Sequence, residues 1–145
     1  MKEYFAKLKA LFRWRDVIFA VFLMGLMLIF AFCNAESMMD VTFGETSLDV
    51  VSKRYSMNIP YDMVEYIEIG DVDQEDEIIT GKGDIAMRTG HCRNKDWGEY
   101  YGVIDLQTSK CVMIHLNNGQ LFVFSHQSDE KVQEDFNTLQ SYLNN

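Results

Sequence analysis

The side chains best suited to chemistry lie in the C-terminal half of the chain: His91, Cys92, Cys111, His115 and His126. Such residues supply zinc ligands and thiol nucleophiles. On an extended strand Cys111 and His115 share a face but stand about 13 Å apart at 3.3 Å per residue, too far for a direct nucleophile–base pair. No two of the five show a zinc spacing backed by a second such pair. Asp71, Asp73 and Glu75 begin like a calcium loop. That loop needs Gly at its sixth position and Glu at its twelfth, where Asp76 and Lys82 stand. Gly81-Lys-Gly-Asp-Ile-Ala86 matches a dinucleotide fingerprint in letters, but no helical stripe follows to offer its N-terminus to a pyrophosphate. No catalytic residue, cofactor or metal is therefore assigned. What remains is a basic cluster, Arg88, Arg93 and Lys95, beside Trp97. It reads either as local neutralisation of the acidic 71–77 stretch or as a partner-binding face with Trp97 as its anchor.

The elements that must position these residues begin with a leader and an apolar run. Residues 1–16 hold Lys2, Lys7, Lys9, Arg13 and Arg15, and Val17 to Cys33 is uninterruptedly apolar. By the positive-inside rule this predicts a basic cytoplasmic leader, a transmembrane helix over 17–33 and an extracytoplasmic remainder. The run exceeds the usual 7–15 residues of a signal-peptide core, so a retained single-pass anchor in the cytoplasmic membrane is expected. Cys33 and Ala35 leave a signal-peptidase pattern before Glu36 as the competing reading.

Residues 34–145 carry 8 Lys and Arg against 20 Asp and Glu, a formal charge of −12. That field repels nucleic acid and anionic headgroups, which argues against both as partners. Cys92 and Cys111 are one pair that an oxidising exterior would allow to bridge, a question that spacing leaves open.

A linker over 34–40 precedes a series of short strands. Val41 and Phe43 alternate, Gly44-Glu-Thr-Ser47 turns, and Met57 and Ile59 alternate with Asn58 up to Pro60. Val64–Ile69 is a further strand. Gly70–Gly98 breaks the rhythm and reads as a long functional or mobile loop with a short strand near Glu77–Thr80. Regularity returns at Tyr100–Leu106. Val112, Ile114 and Leu116 then alternate before Asn118-Gly119 and Leu121–Phe124, the signature of a type I′ hairpin. Val132, Phe136, Leu139 and Leu143 form one helical stripe, with Ser128 as its cap.

Arg54–Ile69, the Thr80–Trp97 segment with Arg93-Asn-Lys-Asp-Trp-Gly98, and the closing hairpin and helix together resemble the bacterial pleckstrin-homology-like (PH-like) domain proteins. The resemblance covers about residues 40–144. It implies a mainly β fold over 41–145: a seven-stranded β-barrel closed by the C-terminal amphipathic helix. It also implies a non-enzymatic domain associated with membrane segments. The first turn, Gly44-Glu-Thr-Ser47, lacks the bases a phosphoinositide site requires. The resulting expectation is a membrane-anchored, non-catalytic binding or assembly module that takes a protein or peptide partner through Arg88, Arg93, Lys95 and Trp97. Two rivals are an anchored or secreted enzyme with its site in 70–98, and a structural membrane subunit.

Overall fold

The computed structural model describes residues 14–33, 39–83 and 86–144, with side chains in the first segment described for 17–27. The leader, the linker and the cleavage pattern at Glu36 lie outside these residues, apart from Trp14–Asp16, Cys33, Met39 and Asp40. The chain divides into two compact units, Met1–Glu36 and Ser37–Asn145.

The first unit holds helix α1 (Trp14–Cys33). Its described side chains are apolar and exposed on nearly every side, from Val17 to Met27. Among the described residues no helix is long and apolar enough to cross a membrane. This corrects the expected transmembrane helix over 17–33, and with it the single-pass topology and the membrane location.

In the second unit the described strands are β1 (Met39–Phe43), β2 (Ser47–Ser52), β3 (Ser56–Pro60), β4 (Val64–Asp71), β5 (Glu77–Gly83), β6 (Met87–Asn94), β7 (Gly98–Asp105), β8 (Lys110–Leu116) and β9 (Leu121–Ser125). Helix α2 (Asp129–Leu143) follows. Strands β1–β2–β3 form an antiparallel meander, and the rest form a six-stranded sheet in the order β4-β8-β9-β7-β6-β5. Among the described residues neither sheet closes and the two are not paired, which corrects the seven-stranded barrel. The reason is the β8–β9 hairpin. It inserts between β4 and β7, with β9 parallel to β7 and β8 antiparallel to β4, so β4 and β5 become opposite edges.

Six strands about 4.8 Å apart would separate flat edges by roughly 24 Å. The connection from Asp71 to Glu77 reaches at most about 20–22 Å. It also bonds to the inner face of β6 and β7 on the way, so the sheet must curl around one face.

Strands β8 and β9 are buried on both sides and read as near-continuous apolar runs, as central strands do. Alternate residues divide between two cores. Val112, Ile114, Phe124 and Val103 pack with Leu48, Val50, Met57 and Ile59 of the small sheet and with Val132 and Leu139 of α2. Cys111, Met113, Val123, Cys92, Tyr100 and Ile104 fill the concave side, where Val72 and Trp97 pack against them.

Helix α2 starts at Ser128, whose hydroxyl accepts from the Lys131 amide at 3.3 Å. Its fully buried positions are Val132, Asp135 and Leu139, while Phe136 is only half-buried. The apolar stripe is thus rotated toward Asp135, which approaches His126 Nδ1 to 3.0 Å without hydrogen-bond alignment. The β8–β9 turn also departs from the expected type I′. Gly119 has φ +83° while Asn118 is not among the positive-φ residues. The Gly119 amide donates to Leu116 O and the Leu116 amide to Gln120 O, both at 2.9 Å. This is a three-residue turn ending in a left-handed glycine.

Candidate functional site

The segment expected to be a long loop, Gly70–Gly98, is mostly the β5–β6 hairpin. Its irregular part is Val72–Asp76, the crossing between the sheet edges. A buried polar network pins that crossing. The Arg88 guanidinium donates to Asp73 O at 2.7 Å, Gln74 O at 2.8 Å and Asp76 Oδ2 at 2.9 Å. Asp76 also accepts from Asn94 Nδ2 at 2.7 Å and from the Tyr100 hydroxyl at 2.6 Å. Side chains of Arg88 and Asp76 are 4% and 1% exposed, so the pair is nearly dry. Burial, followed by the bond to Asp76, pushes the Tyr100 hydroxyl well above its ordinary range.

Strand parity separates the basic residues that sequence places together. Arg88, Cys92 and Asn94 point to the concave side, whereas His91 and Arg93 point outward. Arg93 is exposed between Glu99 (2.7 Å) and Glu77 (3.3 Å), and the Glu99 bond raises its proton affinity further. Lys95 and Trp97 sit in the β6–β7 turn. Lys95 is 72% exposed and only loosely paired with Asp73, at 3.5 Å. The four residues singled out from sequence therefore do not form one basic face: Arg88 is internal, Arg93 lies on the outer side, and Lys95 and Trp97 share the hairpin tip.

That tip is built by Asn94, whose Oδ1 accepts the amides of Asp96 (2.7 Å) and Trp97 (3.1 Å). Gly98, at φ +80°, then turns the chain into β7. The result holds Trp97 half-buried, edge-on to Tyr100 with ring centroids 5.8 Å apart. Between the tip and the outer edge strand β4 lies a groove of about 550 Å³, lined by residues 68–73, Asn94, Asp96, Trp97 and Met113. Gly70 lets the ring and thioether close in: a Cβ at that position would stand 2.4 Å from Met113 Sδ and 3.2 Å from Trp97 Cζ2, so both would have to shift.

The lining is acidic. Asp71 pairs with Lys110, Asp73 with Lys95, and Glu68 Oε1 with His115 Nε2 at 2.8 Å. The carboxylate of Asp96 has no cationic partner among the described residues. The Glu75 amide, foremost, and then Lys95 hold Asp73 below the usual carboxylate range. Sequence reasoning found Trp97 and Lys95 but missed Glu68, Asp96 and Met113. The signal for Glu68 and Met113 was the parity of β4 and β8, legible only once those strands are known to pair, whereas Asp96 lies between Lys95 and Trp97 in the turn.

No group of three or more His, Cys, Asp or Glu among the described residues is arranged to hold a metal ion. Cys92 and Cys111 are free and buried. Burial pushes the Cys111 thiol up to about 12 and raises that of Cys92. No protein-family model, curated protein or solved structure matches the chain, and nothing in those comparisons identifies a PH-like domain.

Proposed function

We propose that the Ser37–Asn145 unit is a non-catalytic binding module that takes a protein or peptide partner in the groove between β4 and the β6–β7 tip. The observation that carries this reading is the groove itself. It adjoins an edge strand, whose outward backbone groups have no strand partner among the described residues, and it presents a fixed aromatic ring. An extended segment laid along such an edge gains main-chain hydrogen bonds, and a neighbouring pocket selects its side chains. The buried, protonated thiols support a binding role over a cysteine enzyme, because neither offers a thiolate at neutral pH.

A photoreactive benzoylphenylalanine introduced in place of Asp71, an exposed residue of the groove rim already paired with Lys110, tests this in cells producing the full chain. A discrete cross-linked species is expected at that position, none from the same residue in place of Glu134 on the exposed side of α2, and loss of the species in Trp97→Ala. Equal cross-linking from both positions, or a species indifferent to Trp97, would overturn the reading.

A further inference from the structure

The chemistry of the partner can be narrowed by following the charges around the groove. This step rests on the binding reading above and asks which side chain the groove accepts. Sequence alone placed a basic cluster here, read as a partner-binding face with Trp97 as its anchor. In the folded chain that basicity is consumed: Arg88 is buried in its bonds to the crossing segment, and Arg93 lies on the opposite side of β6 between two glutamates. What faces the groove is the reverse, Glu68, Asp71, Asp73 and Asp96 around the ring of Trp97 and the thioether of Met113. Two lysines offset part of this charge, at Asp71 and at Asp73. Asp96 is offset by no cation among the described residues, and the Glu68 contact is with a histidine, charged only when protonated.

We infer that the groove accepts a lysine or arginine side chain of a partner polypeptide. The alkyl stem lies across Trp97 and Met113, and the cation stands among the carboxylates of Asp96 and Glu68. Three features favour this occupant. A cation within about 6 Å of an indole centroid is attracted by the negative face of the ring, and long basic side chains bury their stems while keeping the charge at a wet rim. The mixed lining, an apolar floor under an acidic mouth, matches that division along the side chain. Finally, the −12 charge of residues 34–145 draws cationic segments toward the domain and repels anionic ones.

The test uses the full chain carrying Trp14→Phe, which leaves Trp97 as its one tryptophan. A non-ionic detergent covers the exposed apolar residues of α1. Hexa-arginine is titrated while the Trp97 emission is recorded, with hexaglutamate as the opposite-charge control. A saturable change with hexa-arginine and none with hexaglutamate is expected. The affinity should fall about tenfold in Asp96→Asn/Glu68→Gln, two contacts of charge-assisted strength near a partly desolvated site. Glu45→Gln/Glu134→Gln removes the same total charge away from the groove and should leave the affinity within about twofold, the change expected from long-range field alone.

Absence of a saturable change, an equal response to hexaglutamate, or equal weakening by both double variants would overturn the inference. The last outcome would mean diffuse attraction to an acidic surface. If hexa-arginine fails while cross-linking from position 71 remains groove-specific, the cationic occupant is wrong and the binding module stands. If both fail, the binding reading falls as well.

Discussion

The two faces of the six-stranded sheet are both buried, but by different means. On the convex side, methyl and methylene groups from β2, β3 and α2 close over Val103, Val112, Ile114 and Phe124. On the concave side the apolar set ends at Trp97 and Val72, and an ionic network of Arg88, Asp76, Tyr100 and Asn94 completes the filling beside an open groove. Apolar packing is non-directional and tolerates many arrangements of similar volume. A dry ion pair with every partner placed permits essentially one arrangement of the crossing segment. The chain thus uses its greasy face to hold the domain together and its polar face to fix the geometry of the groove.

Breaking the polar face should cost most. Arg88→Met leaves Asp76 as an uncompensated buried charge, a loss of about 3–5 kcal/mol out of a total of about 5–15 for a domain of this size. Urea unfolding of the variant should show the midpoint falling accordingly. Replacing both partners, Arg88→Met/Asp76→Leu, should recover much of that stability while loosening the crossing, because a buried pair is weak evidence for net stabilisation. If the double variant were as unstable as the single one and kept the groove intact, the division of labour between the faces would be wrong.

On the apolar face, Leu139→Ala removes a fully buried side chain of α2 and should cost about 2–5 kcal/mol, depending on how far the small sheet collapses onto the cavity. Its effect on Trp97 emission should be nil, since Leu139 and Trp97 belong to opposite clusters. A shifted Trp97 spectrum in this variant would show that the two faces are coupled. By contrast, Phe136→Asp should be milder than the apolar stripe alone suggests, because Phe136 is only half-buried.

Gly70→Ala sharpens the comparison from the groove side. The added methyl pushes on the Met113 thioether and the Trp97 ring, both side-chain atoms that can shift, so the stability cost should be about 1 kcal/mol. The readout is spectral: Trp97 should move outward and its emission shift to longer wavelength. Unchanged emission would mean that Gly70 does not set the position of the ring.

What was legible in the sequence follows the same division. The period-3.6 stripe of α2, its Ser128 cap, and the alternation of Met57 and Ile59 are local patterns, and local patterns report which residues face inward. Barrel closure was not legible, because which strands neighbour one another depends on long-range pairing that no period records. A clue was available in the unbroken runs Cys111–Ile114 and Leu121–Phe124, which mark strands buried on both faces and hence central ones. The placement of Arg88 failed for a simpler reason. Clustering within ten residues ignores parity, and on β6 parity sends Arg88 and Arg93 to opposite sides. Asp135 was hidden likewise, since a charged residue within an apolar stripe is ordinarily read as its boundary.

The smallest predicted effect concerns the start of α2, where apolar packing gives way to polar capping. Asp129 accepts hydrogen bonds from the Ser109 hydroxyl, the Ser109 amide at 2.8 Å and the Lys110 amide at 3.0 Å, tying the β7–β8 turn to the first turn of the helix. The Ser109 hydroxyl foremost, then the two amides and the Lys110 charge, hold this carboxyl below its ordinary range. A folded-state value below the unfolded one means that the unfolded chain takes up the proton first as pH falls. The contribution of Asp129 is therefore fully present above an ordinary carboxylate value of about 4, and it is lost as pH drops from there through the lower folded value. In Asp129→Asn that pH-dependent part is absent. The melting temperatures of wild type and variant should differ by a constant small gap from neutral pH down to about pH 5 and converge below about pH 4. Because the carboxylate lies at the surface, water screens the interaction and the gap should be modest. A gap that stayed constant through pH 3, or that widened there, would show that Asp129 acts through shape alone and that its charge does not tie the turn to the helix.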